Sequence, residues 1–331
     1  MTDFAVLPAI AKSIAQAENI LLVSHIRPDG DAIGSLLGLG WALEGAGKRV
    51  QMVVSDGVPK ALAFLPGSSR VQKAVSAPYD LSIVLDCSEL SRSGNALTEE
   101  RRPDINIDHH PTNDSFAKIN LVRPDAVATA EILASSLPAL GLPMPPESAS
   151  ALMTGLLTDT LGLRTPNMHP EVLRLAASLM EHGANLPELY FQAMVQRDFL
   201  AARLWGDGLS RLQRAGRVVW TSLTLEDKAR IQYPGRDDAD LINVLSSISD
   251  ADIAVIFVEQ NTDKVKISWR SRDGIDISQL AVSFGGGGHK NAAGAEVDGS
   301  LHEVETRVIE ATQESWNRQA AQGIAQPVIV A

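Results

Sequence analysis

Four short apolar runs constrain the fold of this chain more than anything else in it: residues 19–24 (NILLVS), 50–54 (VQMVV), 81–85 (LSIVL) and 104–107 (DINI). They are rich in β-branched residues and continuous rather than alternating, as strands buried on both faces should be. The segments between them are partly helical, residues 32–46 most clearly. A strand–helix alternation of this kind predicts an α/β fold with a parallel sheet and right-handed crossovers. In open sheets of that type, ligands bind beyond the carboxyl ends of the strands.

Those ends carry the chemistry. His25-Ile-Arg-Pro-Asp29-Gly-Asp31 follows the first run, Asp86 the third and Asp108-His109-His110 the fourth, while Asp159 stands at the end of a helix expected over 148–159. Each island alone has an ordinary explanation. Asp29-Gly30-Asp31 would also serve simply to make a turn and cap a helix, and Asp86 or Asp159 would serve as an end residue. Together they concentrate carboxylates and imidazoles at one sheet edge, a charge that a metal neutralises directly. Hard divalent cations need oxygen ligands and borderline ones also accept imidazole, so a mixed Asp and His set suits manganese better than magnesium or calcium.

A helical region follows, with helices expected over 128–140, 148–159, 171–181 and 187–214. After Gly216 the character changes. Residues 218–223, 253–258 and 264–269 read as strands and residues 238–247 and 277–284 as helices, which predicts a smaller second α/β domain with a mixed sheet. At 331 residues, 45% hydrophobic, the chain is long enough for two cores. The expected boundaries are a catalytic domain over 1–190, a linker helix over 191–214, a substrate-binding domain over 215–320 and a tail over 321–331.

The second domain holds its own signal. Phe284-Gly285-Gly286-Gly287-Gly288-His289 allows a backbone to approach an anion closely and to present several N–H groups to it, where a mere hinge would need no fixed His. Just upstream, Ser268-Trp269-Arg270-Ser271-Arg272 brings two guanidinium groups to a strand end. Beside the glycine loop they make a phosphate or base clamp, and Trp269 points to a nucleoside rather than to polyphosphate.

The formal net charge of −11 argues against coating a long nucleic acid. Bound cations would cancel charge locally, so short anionic substrates stay open. No apolar stretch approaches the roughly 20 residues of a membrane helix, and the first residues show no secretory pattern. With one cysteine, Cys87, which reads as a small packed side chain, the expected location is cytoplasmic. His169, His182 and His302 read as surface or capping groups.

The motifs His25-x3-Asp29-x-Asp31, Leu85-Asp86-Cys87, Asp108-His109-His110 and Thr158-Asp159 resemble, in order, those of the DHH phosphoesterases. Ser268-x-Arg270-Ser271 and Gly-Gly-Gly-Gly-His289-x-x-Ala-Ala-Gly294 resemble the DHH-associated C-terminal domain. In length and plan the chain is most similar to the compact NrnA-type members, which degrade oligoribonucleotides and remove the 3′ phosphate of phosphoadenosine phosphate. The resemblance implies that His25, Asp29 and Asp86 hold one metal and Asp31, Asp86, His109 and Asp159 the other. Asp86 would bridge them and His110 would face the substrate phosphate.

Two such cations activate water and stabilise charge on an attacked phosphate. The implied cofactors are two divalent ions, manganese first, with magnesium or cobalt as substitutes. Arg270, Ser271, Arg272, the glycine loop and His289 would hold the substrate from the second domain, with the active site in the cleft between the two. The expected function is metal-dependent hydrolysis of very short RNA, with phosphoadenosine phosphate as a second substrate. Linear or cyclic dinucleotides are the alternative within the same chemistry; a non-catalytic nucleotide sensor is the alternative outside it. The expected partners are short RNA or a nucleotide and, in a homodimer, a second copy of the chain; long nucleic acid and membrane are not expected.

Overall fold

The four apolar runs and one further short run form a single five-stranded sheet. The computed structural model describes residues 3–94, 96–98 and 101–323, which divide into two units, Met1–Gln196 and Arg197–Ala331. In chain order the first unit contains α1 (Asp3–Gln16), β1 (Asn19–Val23), α2 (Gly30–Gly45), β2 (Arg49–Val53), β3 (Leu81–Leu85), β4 (Ile105–Asp108), β5 (Ile119–Val122), α3 (Thr129–Ser136), α4 (Pro146–Asp159), α5 (Pro170–Glu181) and α6 (Leu186–Tyr190). The strand order is β2-β1-β3-β4-β5 and every pairing is parallel. Continuous apolarity follows from covering both faces. Ile20, Leu22, Ile83, Leu85, Ile105 and Ile107 join the helical core, while Leu21, Val23, Val53 and Val84 pack against Cys87, Leu90, Leu97 and Phe116 on the other side.

The contact of α2 with α4 brings the site together. Gly30, Gly34 and Gly38 recur every four residues and so share one face of α2. A Cβ at Gly30 would lie 2.2 Å from the Thr158 hydroxyl, one at Gly34 2.6 Å from the Ala151 carbonyl oxygen, and one at Gly38 2.6 Å from Leu152. The missing side chains therefore let the helices approach more closely than ordinary ridge-into-groove packing allows. The pairing runs antiparallel, so the start of α2 meets the end of α4. Asp29 and Asp31 are thereby brought to Asp159. Gly155 on α4 completes the fit, because a Cβ there would stand 2.8 Å from Asp31 Oδ1.

The expected single helix through 187–214 is interrupted, and with it the linker helix over 191–214. After α6 comes one π-helical turn, Phe191–Val195; Gln196 is extended (φ −63°, ψ 129°), and the chain restarts as α7 (Phe199–Ser210). The cause is local. Asp198 accepts a hydrogen bond from Ala201 N at 2.7 Å and so caps a new helix instead of continuing an old one.

The second unit continues with β6 (Gln213–Ala215), β7 (Val218–Leu223), α8 (Leu225–Ile231), α9 (Leu241–Leu245), β8 (Ile253–Asn261), β9 (Lys264–Ser271), α10 (Ser278–Ser283), β10 (Gly287–His289), β11 (Ala292–Asp298) and α11 (Leu301–Ala321). Its sheet has the order β10-β11-β9-β8-β7-β6 and is mixed, with β7 and β8 parallel and the other pairings antiparallel. One face packs Val255, Phe257, Ile267 and Trp269 against Val304 and Val308 of α11. The 21-residue α11 was not foreseen, although Ser300 and Glu303 form a capping box at its start. Of the expected tail over 321–331, residues 324–331 lie outside the described residues.

Candidate metal centre

At the carboxyl edge of the first sheet, four carboxylates and three imidazoles converge. Candidate ligand atoms form three groups, His25/Asp29/Asp86, Asp31/His109/Asp159 and Asp86/His109/His110, and within each group the atoms lie within 4.8 Å of one another. Asp86 divides its two oxygens between two of them. Oδ2 is 3.5 Å from His25 Nε2, and Oδ1 is 3.8 Å from His109 Nε2. Asp29 Oδ1 lies 3.9 Å from His25 Nε2, and Asp159 Oδ2 lies 3.4 Å from His109 Nε2.

Each side chain is set by the backbone that carries it. Asp86, just past β3, has φ +54°, a left-handed conformation that a residue with a side chain seldom adopts. Such strain often marks a functional position. Asp29 caps α2, its Oδ1 accepting from Asp31 N and Ala32 N at 3.1 and 3.0 Å. Asp31 is 1% exposed and accepts from Thr129 N at 2.6 Å, Ala130 N at 2.9 Å and the Ser35 hydroxyl at 3.3 Å.

Backbone carbonyls select the tautomer of two of the three imidazoles. His109 Nδ1 donates to the Ala126 carbonyl at 3.3 Å and His25 Nδ1 to the Ile26 carbonyl at 2.8 Å. A carbonyl only accepts, so the proton sits on Nδ1 and Nε2 keeps the lone pair that a metal requires. Arg92 Nη2 also lies 3.1 Å from His25 Nδ1, but a guanidinium only donates, so the shorter carbonyl contact decides the tautomer. His110 is held differently: its Nδ1 is 2.8 Å from Asp108 Oδ1 and 3.6 Å from Asp86 Oδ1. Asp108 is fully buried and its Oδ2 accepts from Asn113 at 2.6 Å, so the first residue of Asp108-His109-His110 serves the third.

The donor set fits divalent cations. Among the described residues no Lys or Arg forms an ion pair with Asp29, Asp31, Asp86 or Asp159, and buried carboxylates without a cation are costly. The titration of the cluster reflects this. Burial, then the charges of Asp86 and Asp159, hold Asp31 well above the usual carboxylate range, against the pull of its three donors. Burial and the charges of Asp86 and Asp29 do the same to Asp159. At Asp86 burial is outweighed by the neighbouring imidazoles, His25 first and then His110 and His109, and its pKa falls below the usual range. Burial lowers His110 too, but the Asp108 bond and the charge of Asp86 outweigh it and raise it to about 9.

Cation uptake must therefore displace protons from Asp31 and Asp159, and its affinity must climb as pH rises from the carboxylate range towards neutrality. Calorimetric titration of manganese into metal-free protein checks this. The heat should differ between buffers of different ionisation enthalpy, and equal heats would contradict it.

In the second unit, register places the expected substrate residues. Arg270 pairs with Ala292 and Ala292 with His289, while Ser268 pairs with Gly294 and Gly294 with Gly287. Cross-strand partners share a face. Arg270 and His289 thus lie on either side of Ala292 on the face opposite Trp269, about 10 Å apart across two strand spacings, with Gly287 and Gly294 in the neighbouring row of the same face. Gly285 and Gly287 have open space where a Cβ would be, whereas Gly286 and Gly288 are needed for close approach to Gly294, Ala295, Ala292 and Ala293. Arg270 Nη1 donates to the Trp269 carbonyl at 3.0 Å. Ser271 Oγ donates to the Ile275 carbonyl at 2.6 Å, and Arg272 Nη2 donates to the Ser249 carbonyl at 2.5 Å.

Trp269 does not offer a face to a nucleoside. It is fully buried, and its Nε1 donates to Thr312 Oγ1 at 3.2 Å, so the argument that it disfavours polyphosphate lapses. Cys87 is buried as expected, which pushes its thiol up to about 12. No helix among the described residues is long and apolar enough to cross a membrane.

Comparisons with known proteins identify the family. The chain matches the DHH family, N-terminal domain, over residues 19–156 and the DHHA1 domain over residues 232–324. It is 35% identical over 303 residues to a Thermus thermophilus protein named bifunctional oligoribonuclease and PAP phosphatase NrnA, covering 90% of each chain. A Bacillus subtilis protein of the same name is 25% identical over 315 residues, covering 90% of this chain and 97% of its own. A solved structure of an exopolyphosphatase-related protein from Bacteroides fragilis aligns with a TM-score of 0.86 at 26% identity, over 96% of this chain and 98% of that one.

Proposed function

The chain belongs to the DHH family, and we propose that, like the relatives named oligoribonuclease and PAP phosphatase, it is a manganese-dependent enzyme converting very short oligoribonucleotides to mononucleotides and phosphoadenosine phosphate to AMP. The division of the Asp86 oxygens between His25 and His109 carries this reading, because one carboxylate facing two ligand groups suits a pair of cations. His25, Asp29 and Asp86 hold one ion; Asp31, Asp86, His109 and Asp159 hold the other. Bound cations supply the activated water and the Lewis acidity that phosphoester hydrolysis needs.

The chain's own groups orient the substrate and move protons. His110 donates a hydrogen bond to a phosphate oxygen or assists the leaving oxygen, while Asp108 keeps its ring in place. Arg270 and His289, on either side of Ala292 and beside the row of Gly287 and Gly294, hold the remainder of the substrate by charge and close backbone approach. A cradle about two strand spacings wide suits one or two nucleotides better than a long polymer.

Purified protein with manganese should be offered ribonucleotides of two to five residues, a 20-residue RNA, phosphoadenosine phosphate, a cyclic dinucleotide and polyphosphate at equal concentration. Short RNA and phosphoadenosine phosphate should be consumed fastest. If they persist while the cyclic dinucleotide or polyphosphate is cleaved, the substrate assignment is wrong. Arg270→Ala should raise KM for a dinucleotide by about 10- to 100-fold, the equivalent of one charge-assisted hydrogen bond. An unchanged KM would remove Arg270 from the substrate contacts.

A further inference from the structure

The segment Ala126–Ala130 touches three of the candidate ligands, although they come from three different elements. Ala126 O accepts from His109, the N–H groups of Thr129 and Ala130 take the two oxygens of Asp31, and Thr129 Oγ1 donates to Asp86 Oδ1 at 3.1 Å. Helix α3 lacks a cap of its own, since Ala128 at its N-cap position has no polar side chain. Asp31 supplies that cap from 98 residues away.

We propose that Thr129 is a positioning residue for the metal centre, its hydroxyl fixing the plane of the Asp86 carboxylate so that the two oxygens face different cations. This rests on the reading of Asp86 as a shared ligand. Asp86 lies beyond the end of β3, in a left-handed turn, so the strand does not by itself set the side-chain rotamer. Thr129 is fully buried and its hydroxyl needs a partner. Thr129 opens α3, so no helical carbonyl one turn back is there to take the hydroxyl, and its partner is Asp86. The bond occupies one lone pair of Oδ1 and leaves the other for the His109 side, while Oδ2 faces His25.

The test uses the full chain with Thr129→Val, which keeps shape and backbone N–H but loses the hydroxyl, and Thr129→Ser, which keeps the hydroxyl. Manganese is titrated into each metal-free protein by calorimetry, and spin coupling between the two ions is read by electron paramagnetic resonance. Thr129→Val should bind manganese about 10- to 100-fold more weakly, the usual cost of losing a group that orients a ligand. It should also lose or alter the coupled signal, and lower kcat for a short oligoribonucleotide with KM little changed. Thr129→Ser should restore all three.

Parent-like affinity and coupling in Thr129→Val would overturn the proposal, and so would a Thr129→Ser protein as impaired as Thr129→Val. If Thr129→Val does not fold, Thr129→Ala removes the hydroxyl with less volume and is judged against Thr129→Ser by the same readings. Failure of the underlying reading looks different, because the parent protein itself would then take up no pair of coupled ions.

Discussion

Asp86→Asn should reduce hydrolysis of a short oligoribonucleotide by on the order of 10³-fold or more and still give a folded protein. The size follows from the several kcal/mol that metal-assisted charge stabilisation contributes, at about 1.4 kcal/mol per tenfold. The choice of Asn follows from the backbone. Asp86 holds φ +54°, which Asn tolerates better than most residues with a side chain. Its amide oxygen still accepts from Thr129, so shape and one hydrogen bond survive while the charge does not. The metal-free protein should melt close to the parent, because the repulsion that Asp86 exerts on Asp31 and Asp159 and the attraction that His25, His109 and His110 exert on its charge are lost together and oppose each other. The rise in Tm on adding manganese should shrink, since less cation binds the native state. Turnover close to that of the parent would refute the shared-ligand reading. Unaltered nucleotide binding with no turnover in either protein would favour the sensor.

Gly34→Ala should destabilise the first unit by about 2–3 kcal/mol, although helix propensity alone favours Ala by about 1 kcal/mol. The two effects oppose each other, and distance decides between them. A Cβ at Gly34 meets the Ala151 carbonyl oxygen at 2.6 Å and Gly155 N at 2.8 Å, backbone atoms that cannot rotate away. The α2–α4 contact must widen, and with it the approach of Asp31 to Asp159. Manganese affinity should therefore fall along with Tm. Gly206, inside α7, is the control, because nothing lies within 4 Å of its Cβ position. There propensity acts alone, and Gly206→Ala should stabilise by about 0.5–1 kcal/mol. Chemical denaturation of both variants checks the pair. Stabilisation by Gly34→Ala would show that the glycine face is not what lets α4 dock.

What could be read from the sequence follows the range of the interactions. The first sheet was legible because 19–24, 50–54, 81–85 and 104–107 are apolar without interruption, and the convergence of His25, Asp86 and Asp108 followed from parallel topology alone. The glycines of α2 were equally visible as Gly30-x3-Gly34-x3-Gly38, but their meaning lies in the partner helix more than 110 residues on. Asp108 read as one of a trio, whereas its bond to His110 depends on how the chain turns after β4. The long helix over 187–214 failed at Asp198, where a side chain that caps the backbone outcompetes helical periodicity. Trp269 was misread because strand alternation alone does not say which face of β9 is covered, and α11 covers it. Thr129 carried no signal at all, since a threonine before a helical run is ordinary until Asp86 is found beside it.

The reach of those contacts has a kinetic consequence. Asp31 meets Thr129 and Ala130 across 98 and 99 residues, and the candidate ligands run from His25 to Asp159, so no early local structure holds them together. Loops of that length close late, and parallel sheets are slow to assemble. A transition state that precedes the docking of α4 on α2 has no place for a cation. Manganese should then leave the refolding limb of a chevron plot almost unmoved and slow the unfolding limb, and equal shifts in both would contradict this order of events. For this chain, cation supply would govern how long a folded molecule lasts rather than how fast one forms.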